Sequence, residues 1–112
     1  MKRGELYRVR RPGPGDPRPS RVFIVVSRQT LLDSRFSSAV CAPVYSKRQG
    51  LATEVPVGVE EGLEHESSIL CDALVSVPKA ALTDFVGKLS TAKTAALDEA
   101  LRVALSLEGG PD

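Results

Sequence analysis

Val22-Phe23-Ile24-Val25-Val26 is an unbroken β-branched and aromatic run set between the polar residues Arg21 and Ser27. A run with no polar alternation and this length reads as a strand buried on both faces, the centre of a core. Immediately upstream, Arg11-Pro12-Gly13-Pro14-Gly15-Asp16-Pro17-Arg18-Pro19-Ser20 holds four prolines and two glycines in ten residues. Proline fixes φ and lacks an N–H, so neither a helix nor a strand ladder passes through this stretch. It is a loop, and loops of that length in a small domain are mostly functional or disordered. Before it, Leu6-Tyr7-Arg8-Val9-Arg10 alternates apolar and polar residues, the pattern of a short half-buried strand.

Downstream of the central run the same logic predicts strands at Ser38 to Tyr45, at Ala52 to Val57 and at Ser68 to Val77, the last being the longest. Turn clusters at Lys47 to Gly50 and Gly58 to Glu66 separate them. Pro78 to Leu82 suits a short helical turn with proline in its favoured first position. From Ser90 onward the period changes. Leu97, Ala100, Leu101, Ala104 and Leu105 recur at helical spacing, with Ser90 or Thr91 as N-cap and Gly109-Gly110-Pro111 as the stop. The predicted class is mainly β with a C-terminal helix, a small and mostly antiparallel barrel or half-barrel.

The chain has 112 residues, enough for one core, which argues against a two-domain cofactor enzyme. Its 42% hydrophobic and 26% charged residues are those of an ordinary globular chain. No apolar run approaches the ~18–20 residues of a membrane span, and Met1-Lys2-Arg3-Gly4-Glu5 lacks the apolar segment of a signal peptide, so a cytoplasmic protein is expected. Cys41 and Cys71 stand far apart in apolar stretches, and His65 is the only histidine. They form no metal-ligand spacing, so neither a metal nor a cofactor is expected.

The near-zero net charge of +1 conceals a division. Residues 1–50 carry eleven Lys or Arg against three acids, a net +8, and residues 51–112 carry four against eleven, a net −7. Either the first half forms a surface for a polyanion, or the two halves intermix in the fold and neutralise each other.

The order of short motifs resembles one family. Lys2-Arg3-Gly4-Glu5-Leu6-Tyr7, Arg21-Val22-Phe23-Ile24-Val25-Val26-Ser27, Ala42-Pro43-Val44-Tyr45-Ser46, Ser67-Ser68-Ile69-Leu70-Cys71-Asp72 and Gly87-Lys88-Leu89-Ser90 follow one another as the motifs of the MazF/PemK toxin endoribonucleases do. The resemblance covers nearly the whole chain. It implies an SH3-like small barrel of the MazF/PemK/CcdB type, a homodimer, metal-independent cleavage of single-stranded RNA, and a small cognate antitoxin as partner. Gyrase-poisoning toxins share this fold, so a relative that binds RNA without cutting it, or acts on a protein target such as DNA gyrase, is the alternative.

The resemblance assigns the catalytic arginine to Arg21, whose planar fork of five donors matches a phosphate. Two positions depart from the family pattern: Val22 replaces the usual proline, and Tyr45 stands where the family has a proton-handling threonine. Arg18-Pro19 carries the missing dipeptide in another register. Tyr45 or the adjacent Ser46 is then left to handle protons, a phenol also being able to stack on a base. RNA binding is expected from the cationic loops, through Arg10, Arg11, Arg18, Lys47 and Arg48. Asp72, at the family's acidic strand position, accepts from base edges, holds Arg21 in place, or serves as a structural carboxylate.

Overall fold

The computed structural model describes residues 1–107. Strands β1 (Glu5–Arg10), β2 (Ser20–Val25), β3 (Ser38–Tyr45), β4 (Glu54–Val57), β5 (Ser67–Leu70), β6 (Val75–Pro78) and β7 (Asp84–Lys88) pair only antiparallel, in the order β4-β5-β3-β2-β1-β7 with β6 also on β3. Two helices join them, the single turn α1 (Gln29–Leu32) and the long α2 (Thr91–Ala104). The sheet curls into a half-barrel, and α2 packs on its inner side.

The central run explains why the sheet has apolar material on both sides. Val22 and Ile24 point into an inner core with Leu6, Ala42, Val44, Val55, Ile69, Leu97 and Ala100. Phe23 and Val25 point the other way, into a cluster with Tyr7, Val9, Cys41, Val77 and Leu82. Successive strand residues face opposite sides, so a strand packed on both must be apolar throughout. Burying a side chain the size of Ile24 or Ile69, both fully enclosed, contributes about 1.5–3 kcal/mol relative to exposure. The thiols of Cys41 and Cys71 are reduced and buried, and burial pushes them up to about 12 and about 11 respectively.

The expected continuous strand from Ser68 to Val77 is two strands. Its halves pair with the same edge of β3: Val44 faces Ile69 and Tyr45 faces Ser68, whereas Cys41 faces Val75 and Ser38 faces Pro78. Between the halves the register slips by three residues, the length of the 3-10 turn Cys71–Ala73. That turn buries Cys71 in the inner core, donates its N–H to the Thr53 carbonyl at 3.0 Å, and lets the edge follow the curl. The short turn expected near Pro78 is present as a 3-10 segment, Lys79–Ala81.

Helix α2 starts where expected. Ser90 caps it by accepting the Lys93 N–H at 3.1 Å, and Leu97 and Ala100 enter the core. Leu105 follows the last turn and is 52% exposed, so the apolar stripe is shorter than its sequence spacing suggests. The helix closes at Ala104 with Ser106 in the left-handed region (φ 55°), the Leu107 N–H reaching the Arg102 carbonyl and the Ser106 N–H reaching that of Val103. This is a Schellman closure made without glycine. Gly109-Gly110-Pro111 lies outside the described residues. Among the described residues no helix is long and apolar enough to cross a membrane.

Candidate active site

The proline-rich loop folds around Asp16. Its carboxylate accepts the Arg18 N–H at 2.9 Å, its own N–H reaches the Gly13 carbonyl, and the Arg11 N–H closes the loop on the Pro19 carbonyl at 2.8 Å. Prolines restrict the chain beforehand, which lowers the entropy lost in ordering it. The loop thereby holds one carboxylate over the start of β2, where Arg21 sits.

Arg21 is 8% exposed. Asp16 takes its side edge with two bonds, from Nε at 2.5 Å and from Nη2 at 2.9 Å, while Nη1 donates to the Val44 carbonyl at 3.0 Å. The β2–β3 register, Phe23 against Pro43, continues by two residues to set Arg21 opposite Tyr45. There the guanidinium carbon lies 4.0 Å from the centre of the Tyr45 ring. A guanidinium has five N–H groups. Three are taken, which leaves one on each terminal nitrogen for a ligand. The Asp16 hydrogen bonds push Arg21 up from its ordinary value against the opposing effect of burial. The same bonds, with that from the Arg18 backbone, hold Asp16 down at about 2.

An acid-titration result follows. A depressed carboxyl means that the unfolded chain binds more protons between pH ~4 and about 2, so the contribution is complete above pH ~4 and is lost as pH falls to about 2. The difference in Tm between the wild type and Asp16→Asn is expected to stay constant from pH 6 to 4 and to close by pH 2. Thermal melts across that range check it, and a gap that does not change with pH would remove the ion pair as its cause.

Around this clamp lies a cavity of about 540 Å³ whose wall includes Arg18, Arg21, Tyr45, Ser46 and Lys47, with the carboxylates of Asp16 and Glu54 among them. Five of the residues singled out from sequence are thus gathered at one place. Four are not: Arg10 and Arg11 are exposed and lie outside this wall. Arg48 turns toward the Ser67 carbonyl (3.2 Å) and Glu66 (3.8 Å). Asp72 is exposed on the 3-10 turn and accepts the Thr53 hydroxyl at 2.6 Å. The carboxylate that holds Arg21 is therefore Asp16, which sequence reading passed over as part of the loop. Its one signal was an acid among prolines five residues before the arginine.

The charge division is only partly neutralised in space. Arg3 pairs with Asp98 of α2 at 2.9 Å and Arg48 loosely with Glu66, each joining the basic half to the acidic half. Arg8, Arg10, Arg11, Arg18 and Lys47 form no ion pair among the described residues. Among those residues no group of three or more His, Cys, Asp or Glu side chains is placed to hold a metal ion.

A small curled antiparallel sheet that presents a buried, oriented arginine on the wall of a cavity, with two further cations beside it, is a build suited to a phosphate group. Residues 2–105 match the family model of the PemK-like, MazF-like toxins of type II toxin-antitoxin systems, and the chain belongs to that family. It is 30% identical over 89 residues to the endoribonuclease MazF3 of Mycobacterium tuberculosis, spanning 80% of this chain and 85% of the relative. Among solved structures it resembles the Mycobacterium tuberculosis toxin MazF-mt6, with a TM-score of 0.81 and 26% identity over 94% of this chain and 99% of the other. A mycobacterial endoribonuclease in complex with its cognate antitoxin has the same fold, with a TM-score of 0.82 and 22% identity over 97% and 98% of the two chains.

Proposed function

We propose that this protein is the toxin of a toxin-antitoxin pair and cleaves single-stranded RNA by attack of a ribose 2′-hydroxyl on the adjacent phosphorus, without a metal ion. The observation that carries the reading is the Arg21 clamp: a guanidinium fixed by Asp16, the Val44 carbonyl and the Tyr45 ring, with two N–H groups left for a ligand. The attacking oxygen forms a bond to phosphorus and the bond to the 5′-oxygen breaks, giving a 2′,3′-cyclic phosphate and a 5′-hydroxyl. Negative charge grows on the phosphoryl oxygens, and donors already oriented there stabilise the transition state without reorganising. Asp16, held at about 2, is a weak base, and its role is to orient Arg21. Solvent takes the 2′-hydroxyl proton as the bond to phosphorus forms, and the hydroxyl of Tyr45, whose ring carries the guanidinium, gives a proton to the leaving 5′-oxygen and regains one from solvent.

Two measurements test this. Purified protein incubated with a mixed RNA in EDTA is expected to yield fragments ending in 2′,3′-cyclic phosphate, and intact RNA at high protein concentration would sink the reading. Tyr45→Phe keeps the ring under Arg21 and removes only the hydroxyl, so kcat is expected to fall ~100-fold with KM little changed. Ser46→Ala is expected to stay within about fivefold of the wild type, and the opposite ranking would transfer the proton to Ser46. The partners that accompany this function are a second copy of the chain and a cognate antitoxin. An acidic segment that is disordered alone and folds on binding suits the basic residues Arg18, Arg21 and Lys47 around this cavity and would exclude RNA.

A further inference from the structure

Arg18, Arg21 and Ser46 also border a second and smaller cavity, of about 140 Å³, on the inner side of β2 and β3. Its floor is apolar: Val22, Val44 and Leu63 all belong to the inner core. The rest of the wall is polar: Arg8, Ser20, Glu64, His65 and Ser67. Whole small-molecule pockets run to ~300–1,000 Å³, so this one is sized for a single group of a larger ligand. It also opens beside the arginine that holds the phosphate in the reading above.

Arg8 is half-buried in β1, and its side chain forms no hydrogen bond or ion pair among the described residues, whereas its neighbour Arg21 makes three hydrogen bonds to two partners. Partial burial removes water from a guanidinium, and this loss is offset only when acceptors replace it. A second phosphate is a poor occupant, because Glu64 repels it and it gains nothing from two valines and a leucine. A nucleobase suits this mixed lining: a flat face for the apolar patch, an acceptor for arginine and an N–H for a carboxylate. His65 is the one aromatic ring in the wall, and it provides a surface for stacking.

We propose that this cavity receives one unstacked base of the RNA next to the phosphate clamped by Arg21, with Arg8 and Glu64 reading its edge and His65 lying against its ring. The proposal rests on the RNA-cleavage reading and adds to it the residues that determine specificity. One position beside the cut is then selected by hydrogen bonding within this cavity, and the remaining positions are selected elsewhere.

The test maps cut sites on a randomised RNA for the wild type, Arg8→Gln and Glu64→Gln. Glu64 is exposed, so Glu64→Gln serves as the variant whose fold is least at risk, and circular dichroism verifies both. The wild type is expected to discriminate about tenfold or more among bases at one position flanking the cut. Both variants are expected to flatten the preference at that same position and to leave the others as they were. A uniform loss of rate at all sites, or no change in preference, overturns the proposal while leaving the cleavage reading intact. Should the wild type cut no RNA, the cleavage reading fails separately. The subsite is then read from the affinities of 2′-O-methyl oligonucleotides varied one base at a time, where indifference at every position overturns it.

Discussion

Arg21→Ala is expected to lower RNA cleavage by about a thousandfold, the scale on which removal of an oriented transition-state donor is felt. The chain still folds: Asp16 lies in a loop with its side chain 15% exposed and turns to water once its partner is gone, although the Val44 carbonyl loses its donor. Arg21→Lys recovers less than about tenfold of that loss. An ammonium has three donors on a point charge. It cannot meet Asp16 with two bonds and the Val44 carbonyl with a third, lie flat on Tyr45, and still present two N–H groups to phosphate. Single-turnover rates on a short fluorogenic RNA, with circular dichroism as the folding control, check both variants. An Arg21→Ala protein within tenfold of the wild type would move the role of the arginine to Arg18.

Gly87→Ala destabilises the fold by about 3 kcal/mol, which for a domain of this size is a fall in Tm of roughly 15 °C. A Cβ at Gly87 would meet the Glu61 carbonyl oxygen at 2.0 Å and its carbon at 2.7 Å. Reciprocally, a Cβ at Gly62, which is in the left-handed region at φ 91°, would meet the Val86 carbonyl oxygen at 2.2 Å. Strand β7 and the 3-10 segment Val59–Glu61 therefore touch backbone to backbone, and no side-chain rotation relieves an added methyl group. Glu61 cannot move away readily, since it is 4% exposed and its carboxylate accepts the Gly58 N–H at 2.7 Å. Gly13→Ala is the control: nothing lies within 4 Å of its Cβ, and its Tm is expected within about 2 °C of the wild type. Equal melts for Gly87→Ala and Gly13→Ala would show that the two segments separate without cost.

Much of the architecture was legible because its signals are local. The span of β3 agrees from Ser38 to Tyr45, and the centre of the core falls on Val22 to Val25. Strand β7 escaped notice. Asp84-Phe85-Val86-Gly87-Lys88 is short and contains a glycine, and Phe85 on this edge strand is 54% exposed, packing edge-on against Tyr7 with ring centres 5.8 Å apart. Nothing in that pattern announces a strand until β1 lies beside it. Helix α1 was likewise invisible, being one turn whose terminal carbonyls are held by Lys79, a residue 47 and 48 positions away from the two leucines it bonds.

For the site, residue chemistry and motif order brought forward Arg21, Arg18, Tyr45, Ser46 and Lys47, because an arginine at a strand start and cations beside it are local features of the chain. By itself the sequence determined a small mainly-β domain with a closing helix, and the arginine on its central strand. Only the tertiary structure decided which carboxylate holds that arginine. Asp16 and Asp72 are equally plain acids in sequence, but the proline loop folds Asp16 back over β2 while the slip between β5 and β6 carries Asp72 out to solvent. The choice depends on how the chain returns on itself: Asp16 stands only five residues before Arg21, but a turn built from prolines and glycines has no periodic pattern from which the direction of its carboxylate can be read.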